Sequence, residues 1–301
     1  MLERLEQSNL FLFRLDESRQ WYRYHHLFAD LLRHQLEAKS GAKEKTPLHQ
    51  RASQWYEDNE FNDDAIHHAL VARDWKRAMR LIYSVSEARI KRGEWSTLFN
   101  WFRLIPDEIL RSNPRLYSHY ANVLMSFGSS EAVEAMLTHL ERTARDDTSL
   151  QGEVALLRSI LAYRKGDYTE RLKSAEKALE HLPPDNLAMR ARAGMGLGMV
   201  KFDTGHLEEA WSALTEAYEM ARLAGDYWVS ASALAYLSGV FWLRGEFRRA
   251  TELMQQAIEL AGHSPAAAIP TSWLGLVKYE QNDLEAAASN AKLANELNEL
   301  G

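Results

Sequence analysis

The sequence contains no cysteine, which excludes disulfide cross-links, thiolate nucleophiles and cysteine-bearing metal sites. Long apolar runs are also missing. None approaches the roughly 18 residues of a membrane span, and the charged start MLERLEQ lacks the apolar centre of a secretory signal. A cytoplasmic protein is expected. Positive charge is in short supply: 36 Lys and Arg stand against 42 Asp and Glu, a net charge of −6, so no basic field points to direct nucleic-acid contact. No G-x-x-x-x-G-K-[ST] phosphate loop is present, and GAKEKT at Gly41 ends in Lys-Thr but lacks the second Gly and the four-residue spacing before it. There is no H-E-x-x-H, and the doublets His25-His26 and His67-His68 place neighbours on different helix faces. No Ser/His/Asp constellation has informative spacing. Pairs such as Asp63-Asp64 and Asp146-Asp147 read as solvated carboxylates. No catalytic residue and no metal are therefore assigned, and an enzyme is not expected.

What is present is a repeat. In WLRGEFRRATELMQQAIELAG, Trp242 to Gly262, the apolar residues Ala250, Leu253, Met254, Ala257, Ile258 and Ala261 follow the i, i+3, i+4, i+7 progression of one helical stripe. Gly245 ahead of them suits a left-handed turn that ends the preceding helix. The same joint recurs at Gly205, Gly166 and Asn282 and more faintly at Gly128, with spacings of 38, 39, 40 and 37 residues. A period in this range, built from two helices and a turn, marks a stack of helical hairpins. Five positions after the turn stands Ala210, Ala250 or Ala287, and seven further on Ala217, Ala257 or Ala294. Leu197-Gly198, Leu237-Ser238 and Leu274-Gly275 occupy equivalent places before the turn. These residues resemble the Leu-Gly and paired alanines of tetratricopeptide repeats, with a period somewhat longer than their usual 34 or so. Arg171 departs from the pattern, standing where Ala is expected.

The first hundred residues differ. LFLFRLDESRQWYRYH, Leu10 to His25, predicts two short strands around Asp16-Glu17-Ser18. A helix is predicted from His26 to Leu36, a loop over Lys39–Lys45, and short helices from Leu48 to Arg92 with joints at Asn59-Glu60-Phe61, Arg73-Asp74-Trp75 and Gly93-Glu94-Trp95.

The runs WYRYHHLFADLLRHQL, WYEDNEFNDDAIHHALVARDW and RGEWSTLFNWFRLIPDEILRSNPRLYSHYANVL resemble the middle of MalT-like regulators, the large ATP-binding members of the LuxR family. In that family an ATPase module ends in a winged helix, followed by a helical connector, a tetratricopeptide-like sensor and a helix-turn-helix. The resemblance implies an all-α chain: a right-handed superhelix of helical hairpins behind a small winged-helix remnant made of a β-hairpin and a helix. Its divisions would be the end of the winged helix at 1–45, the connector at 46–112 and about five sensor repeats at 113–301. ATP or ADP and the helix-turn-helix would belong to other parts of such a regulator, with no cofactor in this chain. The expected partners are a small-molecule inducer or a regulatory protein, the ATPase and helix-turn-helix modules of the same regulator, and another copy by self-association. The role would be signal sensing that controls an ATP-dependent transcriptional switch. A free-standing tetratricopeptide adaptor gripping a peptide is the alternative.

Three residues before each turn stand Tyr163, Phe202, Trp242 and Tyr279. In the tetratricopeptide resemblance this position faces the concave groove, with Met195 and Met199 beside it. Such a ladder is either a recognition surface or packing between adjacent hairpins. Arg164 and Arg192, with Lys165 and Arg244, lie near the same rim, where they would either select an anion or remain solvated. Trp21, Tyr24, His25 and Phe28 belong to the winged-helix motif and are expected to contact the helix that follows or a neighbouring domain.

Overall fold

The computed structural model describes residues 11–14, 22–39, 42–128, 130–262 and 264–299. They divide into two compact units, Met1–Leu81 and Ile82–Gly301, a division that falls inside the stretch expected to be the connector.

In the first unit β1 (Leu12–Arg14) and β2 (Tyr22–Tyr24) pair antiparallel, Leu12 opposite Tyr24 and Arg14 opposite Tyr22. The expected turn at Asp16-Glu17-Ser18, and Trp21 with it, lie outside the described residues. Helices α1 (His26–Lys39), α2 (Ala42–Asp58) and α3 (Asn62–Val71) follow, and α4 (Trp75–Lys91) begins in this unit. The loop expected over Lys39–Lys45 is shorter than that, because Ala42, Lys43, Glu44 and Lys45 are good helix formers and enter α2. The joints stand where expected: Glu60 and Arg73 adopt positive φ, at 65° and 53°. Ser53 Oγ donates to the Ala65 carbonyl at 2.8 Å, tying α2 to α3.

The second unit continues through α5 (Trp95–Phe102), α6 (Asp107–Arg111), α7 (Pro114–Phe127) and α8 (Ser130–Thr143). Four hairpins succeed them: α9 (Thr148–Lys165) with α10 (Tyr168–His181), α11 (Leu187–Asp203) with α12 (Leu207–Ala224), α13 (Tyr227–Leu243) with α14 (Phe247–Ala261), and α15 (Ala268–Glu280) with α16 (Leu284–Asn298). Each helix packs on the next, within hairpins and between them. Gly166, Gly205, Gly245 and Asn282 all turn with positive φ, between 60° and 79°. Gly128, the faintest of the series, is extended instead, at φ −105° and ψ 173°.

Helix starts are capped by side chains: Asp147, Asp167, Asn186, Asp226 and Asp283 each accept from the backbone N–H three residues on, typically about 1 kcal/mol apiece. Small residues set the spacing. Ala210, Ala217, Ala250 and Ala257 are fully buried, and a Cβ on Gly198 would stand 2.6 Å from Leu214 Cγ. At Gly152 a Cβ would meet backbone, 2.8 Å from Leu182 N and 3.0 Å from His181 C. Backbone has no rotamer with which to retreat. Gly152→Val is therefore expected to destabilise the fold by about 3 kcal/mol, at the upper end of overpacking costs, read as a lowered midpoint in urea titration. A midpoint unchanged within error would mean that α9 and α10 do not approach this closely.

Candidate functional site

Successive hairpins bring side chains at fixed offsets from the turn onto a common side, so the site can be built position by position. Three before the turn are Tyr163, Phe202, Trp242 and Tyr279; six before are Ile160, Met199, Gly239 and Leu276; nine before are Leu157, Gly196, Tyr236 and Trp273. What each position does depends on the size of its neighbours in the next hairpin. Gly239 has no side chain, and the space is taken by Trp273 and Phe202, whose rings would lie 2.2 Å and 3.0 Å from a Cβ placed there. Phe202, Tyr236 and Trp273 form a mutually packed set, with centroids 5.2 to 5.8 Å apart.

One hairpin earlier the sizes reverse. Gly196 occupies the place held later by Tyr236 and Trp273, and a Cβ there would meet only Ser159 Oγ, at 3.4 Å. The space stays open as a cavity of about 1030 Å³, lined by Tyr163, Ile160, Met195, Met199, Gly196, Trp228 and Leu260 among others, with the Ile90–Trp95 turn also at its wall. This exceeds the space needed for a small molecule.

The expected four-ring ladder is accordingly not one surface. Tyr163 is 47% exposed and lines the cavity, together with Met195, Met199, Arg164 and Arg192. Phe202, Trp242 and Tyr279 do not line it. Phe202 is sequestered in the ring set, and Trp242 is half-buried with its indole Nε1 out of water and unpartnered. Tyr279 is exposed to solvent. Side-chain periodicity placed the four alike, and the glycine and aromatic substitutions in their neighbours separated them.

The rim cations are occupied. Arg192 holds Asp226 at 2.8 Å, and Asp226, with no exposed surface, also caps α13 through the Val229 N–H at 3.1 Å. Arg164 donates to the Met125 carbonyl. Lys165 meets Glu134 at 2.6 Å and Arg244 meets Glu208 at 2.5 Å. The side chain that breaks the alanine pattern, Arg171, also stands in the cavity wall and is its buried cation: only 3% exposed, with its guanidinium 4.1 Å from the centroid of the Tyr163 ring.

Beside the groove lies a small polar core. His119 is buried against Tyr83, ring centroids 5.3 Å apart, and meets Ser86 Oγ at 2.5 Å. Burial lowers its pKa to about 4. Glu153 accepts from Ser118 at 3.0 Å and faces Arg115 at 3.4 Å; burial raises its pKa despite both. A serine beside a histidine invites a hydrolase reading. Here Ser86 has no exposed surface and donates to the Tyr83 carbonyl at 3.1 Å, so the pair ties α4 to α7 without access to a substrate.

In the first unit Tyr24 packs edge-on against Phe28 at 5.5 Å, and Phe28 stacks on Phe11 at 5.2 Å. His25 faces His26 at 4.3 Å and Phe13 at 6.0 Å, and its backbone N–H donates to the Phe11 carbonyl. Phe11, Phe13, Leu27 and Leu31 are more than half exposed beside them. His68 joins His49 at 2.8 Å between Nδ1 atoms rather than acting with His67 alone. Among the described residues no group of three or more His, Asp or Glu side chains is arranged to hold a metal ion, and no helix is long and apolar enough to cross a membrane.

Comparison with known proteins agrees with this architecture. Residues 1–44 match the family described as the MalT winged helix domain, and residues 152–300 match the MalT-like TPR region. The HTH-type transcriptional regulator MalT of Klebsiella pneumoniae is 28% identical over 271 residues, 89% of this chain and 30% of that protein. The regulator of the same name in Cronobacter sakazakii is 29% identical over 261 residues, 86% of this chain and 29% of its own length. The chain thus spans about 30% of the curated relatives it matches. Among solved structures, a tetratricopeptide repeat protein from Parabacteroides merdae superposes with a TM-score of 0.56 at 14% identity, over 84% of this chain and 93% of its own. A signal transduction ATPase with numerous domains that carries a tetratricopeptide repeat sensor, from Pyrococcus horikoshii, gives 0.51 at 16% identity, over 90% of this chain and 48% of its own.

Proposed function

Because the chain belongs to the MalT-like regulators, we propose that its repeat region is the signal-input part of a transcriptional activator and that an effector occupies the groove opened at Gly196. The effector is an inducer or a regulatory protein. One observation carries this reading: hairpins that elsewhere fill the space between them with Phe202, Tyr236 and Trp273 leave about 1030 Å³ unfilled beside Tyr163, Met195 and Met199. A packed array has no structural need of such a gap.

The wall of the gap suggests how occupancy is felt. Ile90–Trp95, the turn between α4 and α5, stands with residues of α9, α11 and α13. An occupant touching all of them is bound best when they hold one arrangement, and it shifts an equilibrium only by its difference in affinity between two arrangements. Under this reading the ATP- and ADP-dependent switch, DNA binding and self-association belong to other parts of a regulator about three times as long. The face around Tyr24, His25 and Phe28, with Phe11 and Phe13 exposed beside it, would contact the nucleotide-binding module.

Gly196→Trp tests the proposal. Trp is already tolerated at the equivalent Trp273, and replacing a mid-helix Gly brings no propensity cost. In a reporter assay with the complete regulator, the variant should lose its response to the effector while its melting temperature stays near that of the native protein. A normal response would remove the groove from the signalling route.

A further inference from the structure

Arg171 breaks the small-residue pattern of the later hairpins. In the later hairpins the fifth position after the turn is Ala210, Ala250 or Ala287, small enough for two helices to meet, and here a guanidinium has been drawn out of water instead. Its own contacts leave it incompletely satisfied. Nη2 reaches the Met199 thioether at 3.1 Å, a weak acceptor, and the Tyr163 ring lies under the guanidinium. Among the described residues Nη1 has no hydrogen-bond partner, and the Asp203 carboxylate faces it with Oδ2 at 3.6 Å. Burial pulls the Arg171 pKa down and pushes that of Asp203 up, each only partly offset by the other, which is the signature of a pair that does not compensate its own desolvation.

We propose that Arg171 is the anion-binding group of the groove, and that the groove takes a small amphiphile bearing one carboxylate on an aromatic or branched apolar body. The inference rests on the reading of the groove as an effector site. A single charge follows from the remaining cations of the wall. Arg192 is held by Asp226, Lys91 by Glu87 at 2.9 Å, Arg92 by Glu94 at 2.6 Å, and Arg164 is directed to the Met125 carbonyl. Arg164 keeps its charge but is exposed to solvent, which leaves Arg171 as the one buried guanidinium of the described wall without a full partner. A carboxylate is a far better acceptor than the sulfur that Nη2 now contacts, and that contact is easily exchanged for a charge-assisted bond. The apolar body follows from Trp95, Phe127, Leu156, Ile160 and Met195 in the same wall.

The test uses the 301-residue chain, with fluorescence of the wall residues Trp95 and Trp228 and calorimetry as readouts. The probes are 4-phenylbutyrate and its neutral counterpart 4-phenylbutanamide. The carboxylate should bind at least about ten-fold tighter, the ordinary margin of a charge-assisted hydrogen bond. The double variant Arg171→Met with Asp203→Asn, which leaves no lone buried charge, should abolish that preference while amide binding persists, and Gly196→Trp should block both probes. Equal affinities in the native chain, a preference surviving in the double variant, or no saturable binding of either probe up to its solubility would overturn the inference. Tighter binding of phenethyl phosphate than of the carboxylate would overturn the single-charge assignment. If both probes bind alike and Gly196→Trp blocks both, the anion assignment fails and the groove reading stands; binding indifferent to Gly196→Trp fails the groove reading itself.

Discussion

Asp226→Ala should lower the stability of the repeat unit by about 3 kcal/mol or more, the scale of a buried ion pair broken from one side. Two contributions add. The carboxylate is wholly buried and is the partner of Arg192, whose side chain is 15% exposed, so its removal leaves a guanidinium largely out of water and unpaired. The same carboxylate caps α13 at the Val229 N–H, a further loss of about 1 kcal/mol. Asp226→Asn separates the two, because the amide oxygen can still cap the helix while the charge is lost. The expected order in urea titration is native above Asn above Ala. An Ala variant within about 0.5 kcal/mol of the native chain, the scatter of neutral surface changes, would mean that Arg192 is free for another role. As the structure stands, the residue expected from the sequence to select a ligand is committed to holding α11 to the start of α13.

The second large effect is a dependence on pH. His119 in the folded chain has a pKa lowered to about 4 from an ordinary 6.5, because burial opposes the imidazolium. The sign follows from which state takes the proton first. Above pH 6.5 both folded and unfolded chains carry a neutral imidazole, and the stability is fully present. As the pH falls from about 6.5 to about 4, the unfolded chain is protonated and the folded one is not, so stability is lost, by about 3 kcal/mol over the window at 1.36 kcal/mol per pH unit. Glu153 contributes in the opposite direction, since its raised pKa gives a stability present at low pH and lost as pH rises through the folded value. Comparing the native chain with His119→Gln cancels that contribution. The variant should start less stable at pH 7, having lost the stacking on Tyr83, and should show a flatter curve below pH 6.5. Parallel curves would show that His119 does not titrate differently in the two states.

The hairpin stack was legible because its determinants are local. A glycine or asparagine about every 39 residues, followed by helical spacing, specifies turns that Gly166, Gly205, Gly245 and Asn282 make with positive φ. The joints at Glu60 and Arg73 were equally local. Gly128 was the weakest member by pattern, and its backbone does not follow the others. The groove was legible only in part. Offset from the turn puts Tyr163 and Phe202 on the same side of successive hairpins, but whether a ring faces open space is decided by the residue opposite, Gly196 in one case and Tyr236 with Trp273 in the other. The commitment of Arg192 to Asp226, 34 positions away, leaves no periodic trace. Nor does the part of the wall supplied by Ile90–Trp95, which lies outside the repeat. Arg171 did leave one, as a break in the alanine pattern. Such a break means either relaxed packing or a specific use, and its burial beneath the cavity was needed to favour the second.

The interlocked rings of Phe202, Tyr236 and Trp273 come from three consecutive hairpins, α11, α13 and α15. Hairpin arrays can flex like coil springs, each unit pivoting on its neighbour. A side-chain clasp gripping three coils removes that freedom at one point. Freedom to pivot is then left at the joint ahead of the clasp, between the α9 hairpin and α11, and the cavity is walled from both sides of that joint by Tyr163 and by Gly196 and Met199, so a pull applied to the array would widen or narrow the cavity before it disturbed the later hairpins.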